Sequence, residues 1–157
     1  MTGYLSHEEA LPAVTPLQRG KALLVTAQVL LRLHLLRLRR DAAKEWQYVH
    51  RCLDMPHNRM LLEHLSPEKL FRFLRHELLW CQLVTQCIMP HALCLERSLA
   101  FCVYLQTLGV PAQMVIGRNL FGKLDEYPFH AWVEVAGIVG NDIAEVQTGY
   151  AVVERIP

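Results

Sequence analysis

The stretch CLERSLAFCVYLQTLGV, Cys94 to Val110, constrains the fold more than any other part of this chain. From Ala100 to Leu105 it is apolar almost all round. A helix of that kind has no face to turn to water, so other elements must surround it in the middle of a domain. Gly109, with Pro111 two residues later, is a strong helix stop.

Helical patterns precede this segment. Residues 17–48 carry dense leucines with Arg32, Arg37, Arg39 and Arg40 between them, which reads as one long or two consecutive helices. The stretch DMPHN, residues 54–58, breaks the pattern. Ser66-Pro67-Glu68 then predicts an N-cap, a proline at the first helical position and an acidic first turn. Leu70, Phe71, Leu74, Leu78, Trp80 and Cys81 give that helix a broad apolar face, and Met89-Pro90 ends it. Strand patterns follow the central helix: AQMVIG at 112–117, FHAWVEV and IVGND as the arms of a hairpin, and YAVVERI at 150–156. RNLFGKLDEYP, residues 118–128, reads as a loop. The expectation is an α+β fold, with a helical region over residues 1–85 packing on a core over residues 86–157 as one structural unit.

Bulk composition narrows the function. With 157 residues, 52% apolar and 20% charged, the chain can bury a sizeable core and has apolar surface to spare for a partner. A net charge of +1 lacks the basic signature of a nucleic-acid binder. Charge is uneven, however: residues 1–40 hold six Lys/Arg against two Glu, so the front could meet an acidic peptide or a membrane surface. The longest uncharged run near the front, Ala22 to Leu31, is ten residues, against the ~20 that a membrane span needs. Five cysteines with no secretory signal imply a reducing cytoplasm and free thiols. No CxxC pair occurs, and Pro56 interrupts the seven-residue spacing of His50, His57 and His64, so no metal site is expected.

Candidate chemistry begins at Cys94, which sits at or next to the start of the central helix. Unpaired amides and the positive dipole end favour a thiolate there. Cys102, inside the same helix, reads as a small buried apolar residue, and Cys52, Cys81 and Cys87 as structural. A thiol nucleophile needs a base, and the base needs an orienting acceptor. His130 and Asp142 are the candidates, and hairpin register decides whether they meet. A two-residue Ala136-Gly137 turn sets His130 opposite Ile143. A three-residue Val135-Ala136-Gly137 loop, with Gly137 left-handed in a G1 bulge, sets it opposite Asp142 with Cβ atoms ~4.5–5.5 Å apart. Glycine in the third loop position suits the second arrangement. The same register puts Trp132 and Glu134 on the His130 face, fit to line a cleft, and Ala131, Val133 and Val135 on the other, fit to pack on a helix.

The run CLERSLAFCVYLQTLGVPAQMVIG followed by HAWVEVAGIVGND resembles the transglutaminase-like cysteine proteases of lasso-peptide biosynthesis, the B-protein leader peptidases. The resemblance covers Cys94 to Asp142 closely and VVERIP more loosely; residues 1–80 share only a helical character. It implies a papain-like core in which the Cys94 helix packs on a small antiparallel sheet. It further implies Cys94 as nucleophile, His130 as base and acid, and Asp142 as the group orienting His130. The Cys94 backbone amide is then one oxyanion donor, with Gln86, Gln82 and Trp80 as candidates for the second and Ser98, Trp132 and Glu134 as candidate substrate contacts. The implied substrate is a lasso precursor peptide, cut between leader and core without a cofactor. The implied partners are a separate leader-recognition protein and the ATP-dependent cyclase. Two further readings compete: an acyl transferase on the same fold, and a non-catalytic peptide-binding scaffold.

Overall fold

A computed structural model of the chain describes residues 13–40, 42–54, 65–120 and 128–157. Most of DMPHN, His57 and His64, and most of the loop at 118–128, lie outside the described residues.

Helix α1 spans Pro16–Leu38 and α2 spans Ala42–Leu53. The leucine-rich front is therefore two helices, parted where Arg40 takes a left-handed φ of 53°. Pro16 is the first helical residue of α1, where its missing N–H costs nothing. Thr15 caps it by accepting from the Gln18 N–H, and Gln18 reaches back to the Thr15 N–H. Helix α3, Pro67–Ile88, has Ser66 as its N-cap and ends at Met89, before Pro90.

Helix α4, Cys94–Thr107, is the buried centre. Leu99, Ala100, Phe101, Cys102, Tyr104 and Leu105 have no solvent exposure. The helix stops in a Schellman motif: Gly109 has φ 88°, its N–H bonds Gln106 O (2.9 Å), and the Val110 N–H bonds Leu105 O (2.9 Å).

Four strands form one antiparallel sheet in the order β3-β2-β1-β4: β1 Ala112–Asn119, β2 Phe129–Val135, β3 Ile138–Val139 and β4 Tyr150–Ile156. A four-residue helix, α5 (Val146–Gly149), precedes β4. The α+β class follows the order read from the patterns. Both faces of the sheet carry buried side chains. Met114, Val133, Val135 and Ile156 join the main core formed with α1–α4, while Val115, Trp132, Val139 and Val146 form a smaller cluster with Tyr150. Gly117 lets that second cluster close, because a Cβ there would lie 2.7 Å from the Trp132 ring and 2.8 Å from Tyr150 Cβ.

A buried polar knot joins the helices. Glu77 on α3 accepts two bonds from Arg19 of α1 (2.8 and 3.2 Å) and one from the Tyr104 hydroxyl of α4 (2.6 Å). Burial pushes the Glu77 pKa up, but these bonds and one from His76 outweigh it and hold the carboxylate below its ordinary 4.5.

Candidate active site

Cys94 is the first residue of α4 and is half-buried. Leu93, the N-cap, has no side-chain acceptor. Glu96 supplies the cap by accepting from the Leu93 N–H (2.8 Å), and its other oxygen is ion-paired with Arg37 of α1. The helix end that carries the thiol is thereby held from a second helix.

His130 is the second residue of β2. Its Nε2 lies 2.5 Å from Asp142 Oδ2, which leaves Nδ1 for Cys94. Asp142 is itself turned by its other oxygen, which accepts from the Ile143 N–H (2.8 Å). Behind His130 stand Tyr150 and Trp132, with ring centroids 5.3 and 6.2 Å away.

Cys94 and His130 each shift the other's titration toward its charged form. The Cys94 thiol is held below its ordinary pKa of 9.0, first by hydrogen bonding with His130 and further by the Ala131 and Leu95 backbone, against the opposing effect of burial. His130 is pushed up from 6.5 to about 9, first by Cys94 and, after the opposing effect of burial, by Asp142. By contrast, burial raises Cys52, Cys81 and Cys102, Cys81 to about 12. Cys94 is therefore set apart chemically from the buried thiols.

The hairpin reaches this arrangement by a route different from the expected one. Glu134 pairs with Val139 and Val135 with Ile138, so the loop is the two-residue Ala136-Gly137 and the three-residue bulged loop does not form. Both loop residues have positive φ (48° and 79°), as in a type I′ turn, whose twist matches that of the flanking strands. Continued, that ladder would put Ile143 opposite His130. It does not continue. After Gly140 N–H bonds Val133 O (2.9 Å), the side chain of Asn141 takes over the ladder: its Oδ1 accepts from the Val133 N–H (2.7 Å). Its Nδ2 donates to Ser98 Oγ (2.9 Å), which donates to Ala131 O (2.8 Å). The chain turns off the sheet at this point, and the turn brings Asp142 to His130. As a residue of IVGND, Asn141 gives no sign in sequence of more than a place in the return strand, because nothing in its identity says that its side chain replaces a backbone partner.

Three candidate substrate contacts are corrected by burial. Trp132 and Ser98 have no exposure and Glu134 has 5%, so none can touch a bound peptide. Trp132 donates its indole N–H to Glu134 (2.8 Å), and Glu134 also takes Gln147 of α5 (3.1 Å) and Arg155 of β4 (2.6 Å). Trp132 and Glu134 do lie on the His130 face of β2, but α5 and β4 cover that face beyond His130. Ser98 sits on the inner side of α4 and serves Asn141 instead.

A cleft of about 700 Å³ opens over Cys94, His130, Asn141 and Asp142, with α3 as its far wall. Gln82 and Gln86, one helical turn apart, both line it. Trp80 does not; its ring packs under the Arg19 guanidinium at 5.3 Å. Among the described residues no group of three or more His, Cys, Asp or Glu side chains could hold a metal ion, and no described helix is long and apolar enough to cross a membrane.

A family model described as transglutaminase-like superfamily matches residues 27–155, and the chain belongs to that superfamily. Neither the curated proteins nor the solved structures gave a match.

Proposed function

We propose that this member of the transglutaminase-like superfamily is a cysteine endopeptidase that cuts the leader from a lasso-peptide precursor. The observation that carries the reading is the contrast at Cys94: this thiol is held toward thiolate, where the buried thiols of Cys52, Cys81 and Cys102 are pushed the other way, and the histidine that holds it rests its far nitrogen on a carboxylate.

In this reading Cys94 Sγ attacks the carbonyl carbon joining leader to core. The developing oxyanion meets the Cys94 backbone N–H, with Gln86 or Gln82 as the second donor from α3. The tetrahedral intermediate collapses as His130 gives its proton to the departing amine of the core peptide. A water then attacks the thioester while His130 takes its proton, releasing the leader as a carboxylic acid and returning Cys94. Asp142 keeps His130 oriented and stabilises its charged form throughout. No cofactor enters these steps. The freed amine is the group that a separate ATP-dependent cyclase would join to an acidic side chain. A separate leader-recognition protein would deliver the precursor, and five free cysteines suit a cytoplasmic setting.

The test is to incubate the protein with its precursor peptide, with and without the recognition protein, and to read masses. Products that sum to the precursor plus one water support peptidase action, and faster cutting with the recognition protein supports the split system. Products in which an amine replaces water would make the protein an acyl transferase. An intact precursor under all conditions would overturn the reading.

A further inference from the structure

We propose that a second pocket at the catalytic pair is a subsite for one bulky apolar side chain of the peptide substrate. The proposal rests on the peptidase reading and names a substrate feature that the site selects. The pocket shares Cys94, His130 and Ala131 with the large cleft but takes its other walls from different side chains: Trp46 of α2, Leu95 of α4, Ile116 of β1, Phe129 of β2 and Val153 of β4. Its volume is about 340 Å³. That is at the small end for a binding site, enough for a Phe or Leu side chain but short of a length of peptide.

Three observations point to an apolar occupant. Phe129 is 53% exposed, Val153 59% and Trp46 38%, and clustered exposure of large apolar groups beside a reactive thiol has the character of a recognition surface. The walls offer almost nothing polar. Glu154 is the pocket's only carboxylate among the described residues, and His50 faces it at 3.5 Å. The walls are also braced. Trp46 stands edge-on to His50 (ring centroids 5.0 Å), so His50 links the α2 wall to β4 and keeps the indole in place. The large cleft is different in kind, with Gln82 and Gln86 available to a peptide backbone.

Double-headed epoxysuccinyl peptides provide the test, since they extend to both sides of the thiol. Cys94 Sγ opens the epoxide and the alkoxide takes a proton, giving a stable adduct that is read by intact mass. Phe, Leu, Gly and Asp are scanned at two positions on each side. At one position Phe or Leu should label at least about tenfold faster than Gly or Asp, since a single methylene in an apolar pocket is already worth ~10–200-fold. That ratio should fall toward one in Val153→Glu and in Phe129→Ala. Both side chains are more than half exposed, so neither change empties the core. A flat profile at every position, or a preference that survives both substitutions, overturns the proposal. Iodoacetamide on the unaltered protein separates the two failures. If Cys94 labels ahead of exposed Cys87 while the epoxide profile is flat, the subsite alone falls. If Cys94 shows no precedence, the peptidase reading falls with it.

Discussion

At the scale of single residues, the proposed peptidase chemistry would take its pH behaviour from the pair formed by Cys94 and His130. His130 is raised from 6.5 to about 9, so the stabilisation its charged form contributes is complete below about pH 6.5 and fades as pH rises through about 9. Activity that needs imidazolium beside thiolate should fall on the alkaline side near the same value, and on the acid side as Cys94 takes up its proton. Asp142 is one of the groups raising His130. Asp142→Asn should therefore move the alkaline limb of kcat/KM to lower pH and reduce the rate on the order of 10²–10⁴-fold, with little loss of stability. An unchanged alkaline limb in the variant would separate Asp142 from the titration of His130. Cys94→Ala should abolish cleavage and leave the fold intact, which product masses and a thermal melt would check together. Cys94, His130 and Asp142 were all legible as candidates, because a thiol at a helix start and a histidine on a strand are chemical statements that need no coordinates. The burial of Ser98 and Trp132 is not legible in the same way, because residue type alone does not reveal which neighbour takes up a hydroxyl or an indole.

At the scale of elements, the hairpin carries the lesson. Its turn holds Ala136 at φ 48°, where a side chain is strained and glycine is not. Ala136→Gly should stabilise the protein by roughly 0.5–1 kcal/mol in urea denaturation, since relief of that strain outweighs the added freedom of the unfolded chain. Destabilisation would mean that the turn does not have this geometry. Asn141 does more than any backbone group at this end of the sheet. It closes the β2 ladder at Val133 and ties α4, which bears Cys94, to β2, which bears His130. Asn141→Ala leaves the Val133 N–H without its partner and should cost about 1–3 kcal/mol. It should also slow catalysis more than it raises KM, because Asp142 is the next residue. The expected three-residue loop would have brought His130 and Asp142 together by strand register. The molecule does it by ending the strand early, a choice that depends on Ser98, 43 residues away.

At the scale of the whole molecule, three helices are fastened by Arg19, Glu77 and Tyr104. Glu77 is held below its ordinary pKa, so its contribution is present above about pH 4.5 and is lost as pH falls through the lower folded value. Tyr104→Phe removes a buried bond to a charged acceptor. It should lower stability by about 1.5–3 kcal/mol at neutral pH and by less in acid, where Glu77 is protonated, as urea titrations at both pH values would show.

The succession of helices and strands was readable along the chain. An all-apolar helix must be central, Gly109 must end it, Ser66-Pro67 must open α3, and YAVVERI must be a strand, because each follows from local propensity and periodicity. The thiol's place at a helix start is equally local. Tertiary structure alone decided which face of β2 stays open and how Asp142 reaches His130. It also decided that Glu134 and Trp132 are covered by α5 and β4, and that walls from α2, β1, β2 and β4 meet beside Cys94. These outcomes depend on contacts between residues far apart in sequence. Burial and hydrogen bonding at such contacts are properties of two elements together, and neither element's sequence contains them.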